Sequence, residues 1–323
     1  MKKYLRAVNF LALICLSFGS AAADQYPTRS IRMIIPAAPG GGVDTVGRVL
    51  ASQLSQTLGK SVVPDNKPGA GTMLGSQELA SAAPDGYTLL AITSSHAVNA
   101  AVRKLKYDPI NDFAMISLVG SAPDILVVNA DSPIKNLNEL IAAAKKDPGK
   151  ITFGSAGQGS GSHMDAELLK SMAGIDILHV PYRGGMPAVT ALLGNETNMM
   201  FLSAVGLQPH IKAGKLRPIA VTGKERTAMF PNLPTMAEAG LPSYSAAVWY
   251  GIVAPAKTPP AIINILNKAI NDALKTPEVR EKLIAAGIDP IGSAPQAFTN
   301  YVKEDISRWQ KVVDKSPQLR VND

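Results

Sequence analysis

The sequence predicts an α/β fold in two domains, and three observations support that prediction. Short apolar runs typical of strands alternate with segments of helical periodicity along most of the chain. A unit of strand, glycine-rich loop and helix occurs twice, once near residue 40 and again near residue 157. The 323 residues also exceed the roughly 100 to 200 residues of a typical domain. We therefore expect two domains, each a mostly parallel sheet flanked by helices.

The first unit begins with the apolar run at 31–35, a predicted buried strand, and continues into the loop at 36–42. A helix is expected from about Asp44, because apolar residues then recur at helical spacing. The alternation continues with strands near 61–63, 87–93, 113–119 and 125–129. A helix at 137–146 is predicted to end at Asp147-Pro148-Gly149, since proline and glycine stop helices there.

The second unit begins with a strand at 151–153, followed by a loop at 154–162 and a helix that starts near Met164. Further strands are predicted at 177–180, 198–202, 216–221 and 248–253, with helices between them. From Pro259 onward the pattern is helical, and three consecutive helices with no strand between them are expected at 261–274, 277–286 and 296–314. In this interpretation, the three helices pack over the rest of the fold as a C-terminal cover.

The N-terminus has the layout of a secretory signal. Basic residues at Lys2, Lys3 and Arg6 precede an apolar run at 8–18 and a small-residue stretch that ends at Ala23. The apolar run is about half of the roughly 20 residues that a membrane-spanning helix needs. We therefore expect cleavage after Ala23 rather than a retained anchor, with residues 1–23 as signal peptide.

Cysteine and charge exclude several classes of protein. The only cysteine, Cys15, lies inside the signal, so the exported chain contains neither disulfides nor cysteine zinc sites. The signal contributes three of the formal +7 charges and no acid, which leaves +4 for the rest. That charge is too small and too scattered for a nucleic-acid-binding surface, but it suits an anionic ligand.

The two glycine loops are the most informative feature of the sequence. Each places backbone N–H groups and the positive end of a helix dipole at one point, an arrangement that binds anions. The alternative is that the glycines only make tight turns. Two long loops, one in each predicted domain, favour ligand binding over that alternative. Neither loop has the spacing of a nucleotide-binding signature, so no cofactor is expected.

Several other side chains are candidates for catalysis, metal binding or carboxylate binding. No G-x-S-x-G elbow is present, yet His163 closely follows the loop serines, so a serine–histidine pairing remains an alternative to a helix-terminal residue that lines a cleft or donates to a ligand. His96, His179 and His210 are isolated in sequence and are expected to be structural, and no metal site is predicted. Arg183 either grips a carboxylate or forms a surface ion pair.

The order of motifs is informative beyond any single one. In chain order these are Tyr26-Pro27, Pro36-x-x-Pro39-Gly40-Gly41-Gly42-x-Asp44, Asn66-Lys67-Pro68-Gly69-Ala70-Gly71, Pro84-Asp85-Gly86-Tyr87-Thr88-Leu89, Val180-Pro181-Tyr182-Arg183-Gly184 and Gly214-Lys215-Leu216-Arg217-Pro218. The set closely resembles the Bug family, the periplasmic receptors of tripartite tricarboxylate transporters. The resemblance covers essentially the whole chain after the signal.

The resemblance implies a Venus-flytrap fold, with 24–122 plus 247–323 as the first lobe and 123–246 as the second. It also implies that backbone N–H groups and ordered water in the cleft hold a ligand carboxylate. The implied binding positions, together with the candidate Arg183, are Ala38, Gly40, Gly41, Gly42, Val43, Asp44, Ser94, Ser95, Ser155, Gly157, Gly159, Ser160, His163 and Ser203. Leu202 stands where many relatives carry a polar or acidic residue, which argues against an amine-bearing ligand.

The implied function is that of a monomeric periplasmic receptor without catalytic activity. It would capture a small carboxylate, a di- or tricarboxylate or an aromatic acid, by closing its lobes, and would deliver it to membrane transporter subunits. Two alternatives remain at this stage. The first alternative is a ligand sensor for a membrane kinase. The second, with less support, is a serine-dependent hydrolase.

Overall fold

The computed structural model describes residues 26–37, 39–157, 160–182, 185–315 and 320. Its strands are β1 (Ile31–Ile35), β2 (Val62–Asn66), β3 (Thr88–Thr93), β4 (Phe113–Ala122), β5 (Asp124–Asn129), β6 (Thr152–Ser155), β7 (Leu178–Pro181), β8 (Met199–Ser203), β9 (Leu216–Val221), β10 (Val248–Pro255) and β11 (Asp289–Pro290). Its helices are α1 (Gly42–Leu58), α2 (Met73–Ala80), α3 (Ser95–Val102), α4 (Leu137–Lys146), α5 (Gly161–Ala173), α6 (Gly185–Leu193), α7 (Ala204–Lys212), α8 (Pro260–Ala273), α9 (Pro277–Ala285) and α10 (Pro295–Lys315).

The strands form two sheets. The first has the order β11-β4-β10-β3-β1-β2, and the second has the order β7-β6-β8-β5-β9. The predicted α/β class with two sheets is confirmed, but the sheets are mixed rather than mostly parallel. The reason lies in the strands that carry the chain between the sheets. β10 returns antiparallel to both β3 and β4, and β5 enters antiparallel to both β8 and β9.

The chain passes between the sheets at two adjacent places. β4 leads into β5 through Pro123 alone, and the return passage leads into β10. Asp124 N–H donates to Thr222 Oγ1 at 2.8 Å, Thr222 N–H donates to Asp124 O at 2.9 Å, and Ala246 N–H donates to Thr222 O at 3.0 Å. The strands of the second sheet therefore come from one continuous stretch, and both ends of that stretch lie side by side.

The hydrophobic core is continuous between the two sheets. One cluster of buried side chains joins Ile34 and Leu90 of the first sheet, Leu126 and Phe153 of the second, and Trp309 of α10. The large aromatic residues Trp249, Tyr250 and Phe201 belong to the core, because each is less than a tenth exposed. Burial of such large side chains is the main stabilising contribution in a chain without disulfides.

Helix boundaries follow from local chemistry. α4 begins with a capping box, in which Glu139 N–H donates to Asn136 Oδ1 at 2.9 Å and Asn136 Nδ2 donates to Glu139 Oε1 at 2.8 Å. α4 ends at Lys146, where the sequence predicted it to end. α1 ends at Leu58, and the next residue, Gly59, caps it with a left-handed φ of 67° that favours glycine.

Two elements differ from the sequence prediction. α3 was not predicted, and the short strand β11 interrupts the expected run of three terminal helices by pairing with β4. The predicted signal at 1–23 lies outside the described residues. Within the part of the chain that the structure describes, no helix is both long and apolar enough to span a bilayer.

Candidate ligand-binding cleft

A cavity of about 540 Å³ lies between the two sheets. Elements of the first sheet contribute Gly71, Ser94, Ser95 and Asn99, and elements of the second contribute Asp124, Gly161, Met164 and Asp165. Ala246 and Ala247 of the return passage, together with Trp309 and Arg320, complete much of the wall. A cavity whose walls belong to two separate sheets can change shape when the sheets move relative to each other.

The first-sheet wall is built by the turn from β3 into α3. Ser94 and Ser95 lie on the cavity, as the predicted site positions require. Ser94 N–H donates to Trp249 O at 3.1 Å, which fixes the turn against β10. Asn99, one turn into α3, donates from Nδ2 to Gly71 O at 2.7 Å. Asn99 and Gly71 were not predicted as site residues, because α3 itself was not predicted.

Asp44 organises the first glycine loop. Its carboxylate accepts the Gly40 N–H at 2.9 Å, Arg48 Nε at 2.9 Å and Asn66 Nδ2 at 2.8 Å. Burial opposes the charge of Asp44, but hydrogen bonds from Arg48, Asn66 and Gly40 hold its pKa below the usual value. The structure thus shows Asp44 and Gly40 bonded to each other. Their contact with a ligand stays a prediction.

Gly41 and Gly42 occupy different surroundings. A Cβ on Gly42 would overlap the Tyr250 hydroxyl, so the close approach of Tyr250 requires glycine there. A Cβ on Gly41 would meet no atom of the described residues within 4 Å. Burial, and then the charge of Asp124, raises the pKa of Tyr250 to about 12. The first loop therefore adjoins the strands that pass between the sheets, and Val43 beside it is buried.

The serines of the second loop bond to the loop itself. Ser155 Oγ accepts the Gly157 N–H at 3.1 Å, and Ser162 Oγ accepts the Ala156 N–H at 2.9 Å. Ser160 Oγ donates to Gly157 O at 2.7 Å, and it caps α5 by accepting the His163 N–H. These bonds give the loop its shape. Gly161, at the start of α5, is where this segment reaches the cavity.

A stack of aromatic rings packs next to the second loop. His163 and His179 stack with centroids 4.1 Å apart, and His179 stacks on Phe153 at 4.8 Å. Ser155 Oγ and His179 Nε2 form a hydrogen bond of 2.6 Å. Burial, and then the neighbouring His163, lowers the pKa of His179 to about 4. Burial likewise lowers the pKa of His163, although the charge of Glu167 opposes that shift.

His179 is isolated in sequence, but in the structure it has close neighbours from other elements. Phe153 and His179 are register partners on the adjacent strands β6 and β7, so parallel pairing brings His179 beside Ser155. His163 is 3% exposed and belongs to this stack, so it is not among the residues that line the cavity. His96 and His210 are not part of the cluster. His96 is buried and bonds to Pro109 O at 2.8 Å, as a structural histidine does.

The remaining predicted positions are distributed differently. Ser203 is exposed at the end of β8, directly opposite Asp124 in the ladder with β5. Leu202 packs against Gly185 and Gly206 rather than into the cavity. Ala38, Gly159 and Arg183 lie outside the described residues. Among the residues that are described, no group of three or more His, Cys, Asp or Glu side chains is arranged to hold a metal ion.

Two carboxyl groups in the cleft were not predicted. Asp124, at the first passage between the sheets, and Asp165, on α5, both line the cavity. Burial raises the pKa of Asp124 to about 6, and burial together with the charge of Asp124 raises the pKa of Asp165 well above its usual value. The two residues are far apart in sequence, and no local pattern indicates that they meet.

Comparison with known proteins agrees with this architecture. Residues 46–317 match the family described as "Tripartite tricarboxylate transporter family receptor". The chain is 37% identical to Protein BugT of Bordetella pertussis over 314 residues, which are 95% of this chain and 96% of BugT.

Two solved structures are similar over almost their whole length. An R. palustris protein with adipate is 34% identical, with a TM-score of 0.69 over 90% of this chain and 97% of that one. MatC of Rhodopseudomonas palustris with bound malate is 33% identical, with a TM-score of 0.67 over 89% of this chain and 100% of that one. The motif resemblance found in the sequence is confirmed, and the chain belongs to the receptor family of the tripartite tricarboxylate transporters.

Proposed function

We propose that this protein is a periplasmic receptor that captures a small carboxylate in the cleft by lobe closure and delivers it to a tripartite transporter. The observation that carries the proposal is the cavity of about 540 Å³, whose walls come from both sheets. The N-terminal ends of α3 and α5, at Ser95 and Gly161, lie on that cavity. Helix N-termini attract anions through free N–H groups and the helix dipole.

The lobes are proposed to be 24–122 plus 247–323 and 123–246. This division is supported by the two neighbouring passages near Asp124 and Ala246, which act as a hinge because little else of the backbone connects the sheets. Closure about that hinge removes the ligand from water and strengthens each polar contact that holds it. The closed form is then the shape that a membrane subunit recognises.

Small dicarboxylates are the first ligands to consider, because relatives have been solved with adipate and with malate. A carboxylate held by neutral N–H dipoles avoids the desolvation of a fixed counter-charge. The proposed contacts remain the predicted positions, in particular Gly41 and Gly42 of the first loop, Ser94 and Ser95, and Ser160. A di- or tricarboxylate or an aromatic acid fits a cavity of this volume.

A catalytic role has less support than binding. The loop serine that bonds to a histidine is Ser155, and it bonds to His179 rather than to His163. Ser155 is 0% exposed, so its hydroxyl is closed to a substrate in the cleft. A nucleophile must reach the atom it attacks. We therefore infer a receptor without turnover.

The test is thermal unfolding of the mature chain with a panel of small carboxylates, after any retained ligand has been removed by unfolding and refolding. A ligand that binds only the native state adds about 2.7 kcal/mol at a hundredfold excess over Kd, which raises Tm by a few degrees. The expected result is a rise with at least one acid and no consumption of that acid. No rise across the panel contradicts the proposed function.

A further inference from the structure

The cleft carries a negative group as well as anion-attracting helix ends. Asp124 is partly exposed on the cavity surface, and Asp165 lies beside it with 2% of its surface exposed. An ionised acid in the wall would disfavour a ligand that carried only carboxylates, because like charges repel. The pair therefore points to a second feature of the ligand.

The position of the pair is fixed by the backbone around it. Asp124 exchanges hydrogen bonds with Thr222 through its own N–H and C=O, and the Tyr244 hydroxyl donates to Asp165 O at 2.9 Å. These hydrogen bonds fix the backbone at both residues, and they do not involve the side-chain carboxyl groups of Asp124 and Asp165. Asp165 Oδ2 is buried, and among the described residues no donor is bonded to it, although the carboxyl groups of Asp165 and Asp124 interact with each other. A buried acceptor without a donor is costly unless a proton or a ligand meets it.

Three arginines lie near the pair. Arg308 forms its ion pair with Asp305, which also accepts a hydrogen bond from Trp249 Nε1. Arg308 therefore offsets Asp165 only as a neighbouring charge. Arg103 and Arg320 also line the cavity. Burial raises the pKa values of both carboxyl groups, and the two groups interact with each other, so the pair favours a shared proton over two full negative charges.

We propose that Asp124 and Asp165 select the ligand by binding a protonated amine that is carried on the same molecule as the carboxylate. Gly161 and Asp165 are about one helical turn apart on α5, so the N-terminal end of the helix and the position of Asp165 are separated by about 6 Å along the helix axis. ω-Amino acids approach that spacing between their two ends, and acidic amino acids approach it between the amine and the side-chain carboxylate. This inference rests on the proposed function, because it names the ligand class of the same cleft.

The inference differs from the expectation drawn from Leu202. That residue packs against Gly185 and Gly206 and does not line the cavity, so its apolar character says nothing about the amine. The acid that faces the ligand comes from the passage between the sheets instead. An amine bound there would take the place of the shared proton, so binding is expected to be accompanied by proton release.

The experiment measures affinity by calorimetry for matched pairs of ligands that differ in one amine. Suitable pairs are succinate with aspartate, glutarate with glutamate, and 4-methylbenzoate with 4-(aminomethyl)benzoate. We expect the amine-bearing member of at least one pair to bind about tenfold or more tightly. Repeating the titration in two buffers of different ionisation enthalpy measures the released proton.

The variants are Asp124→Asn and Asp165→Asn, which keep the shape of the side chain and remove its charge. We expect Asp124→Asn to bring the affinity ratio of the pair close to one and to abolish proton release. Asp165→Asn should reduce both the affinity ratio and the proton release, because Asp165 acts on the amine through Asp124. The matched control is Asp131→Asn, an exposed carboxyl beyond the other end of β5, which should leave both unchanged. Circular dichroism confirms that each variant is folded.

The outcomes separate the two proposals. Binding of acids and their amines with equal affinity, or an unchanged ratio in Asp124→Asn, overturns this inference and leaves the receptor function standing. No binding by any member of any pair overturns both. Preference for the amine that is lost in Asp124→Asn but retained in Asp131→Asn supports the inference.

Discussion

At the scale of single residues, adjacent glycines in the first loop have different roles. Gly42 makes room for the Tyr250 hydroxyl, whereas the space beside Gly41 is open. The backbone of Gly41 has φ −85° and ψ 170°, which other residues adopt without strain. A side chain at Gly41 therefore affects what approaches the loop, and a side chain at Gly42 affects the fold.

Gly41→Val is expected to abolish ligand binding and to leave the free energy of unfolding nearly unchanged. The branched side chain would occupy the space from which a carboxylate approaches the loop. Calorimetry with the best ligand of the panel and urea unfolding of the free protein measure the two effects. Unchanged affinity in Gly41→Val would show that the first loop is not part of the site.

Gly42→Ala is the matched comparison, and it is expected to change the free energy of unfolding. The methyl group would overlap the Tyr250 hydroxyl, which is the tip of a rigid, buried ring. We expect a loss of about 1–3 kcal/mol in the free energy of unfolding, as is usual for overpacking. Equal stability of Gly42→Ala and the parent protein in urea would contradict the described contact.

His179 makes stability depend on pH. Its folded pKa of about 4 lies below the value near 6.5 that a histidine has in an unfolded chain. Protonated His179 is disfavoured in the fold, so its contribution is complete above about pH 6.5 and is lost as the pH falls toward 4. We expect the unfolding free energy of the parent protein to fall over that range relative to His179→Gln.

The measurement is urea unfolding at several pH values, with the difference between parent and variant taken at each pH. Taking the difference removes the opposite contribution of Asp124, whose raised pKa favours stability at the acid end. His210→Gln, on α7, is the control and should follow the parent protein. A difference between parent and His179→Gln that does not change with pH would refute the expectation.

Some of these residue-level features could be predicted from sequence and others could not. Ser94 and Ser95 were expected on the cleft, and both lie on the cavity. The contact between Ser155 and His179 depends on which strands pair, and the meeting of Asp124 with Asp165 depends on how α5 packs against the passage between the sheets. Neither arrangement leaves a signal in the local sequence.

At the scale of elements, α10 is the segment that ties the C-terminus to the core. Phe298 occupies the space beside Gly251 of β10, and it packs edge-on against Trp249 with ring centroids 5.7 Å apart. Trp249 also donates to the buried Asp305 of α10. The helix is therefore attached to the sheet by complementary shape and by one buried hydrogen bond.

Gly251→Ala is expected to destabilise the protein by about 1–3 kcal/mol, because the added methyl overlaps the Phe298 ring. Phe298→Leu should relieve part of that cost when the two are combined, although alone it loses packing. Urea unfolding of both single variants and the double variant gives the coupling energy. Simple additivity would show that the two residues do not contact each other.

The elements themselves were predicted unevenly. α4 was predicted to the residue because Asn136 caps its start and Pro148 with Gly149 follows its end. α3 was not predicted, since its eight residues include no long apolar stripe. Strand direction was also wrong in part. An apolar run indicates a buried strand but carries no information on whether its neighbour in the sheet is parallel.

At the scale of the whole molecule, ligand binding and closure are one event in the proposed function. We expect small-angle X-ray scattering to give a smaller radius of gyration for the ligand-saturated protein than for the free protein. Gly41→Val at the same ligand concentration should show no such decrease. A ligand that raises Tm while the radius of gyration stays constant would support binding but contradict closure.

The neighbouring positions of Asp124, Thr222 and Ala246 have a consequence for protein engineering. A stretch that begins and ends at one place is suited to exchange as a cassette, because its two junctions have to be matched at only one place in the recipient protein. Residues 124–246 contain the second glycine loop and both acids of the cleft. A chimera in which this cassette replaces the corresponding segment of a relative should contain the second-sheet half of the cleft and the relative's own first glycine loop. The ligand preference of that chimera would show which half of the cleft determines specificity.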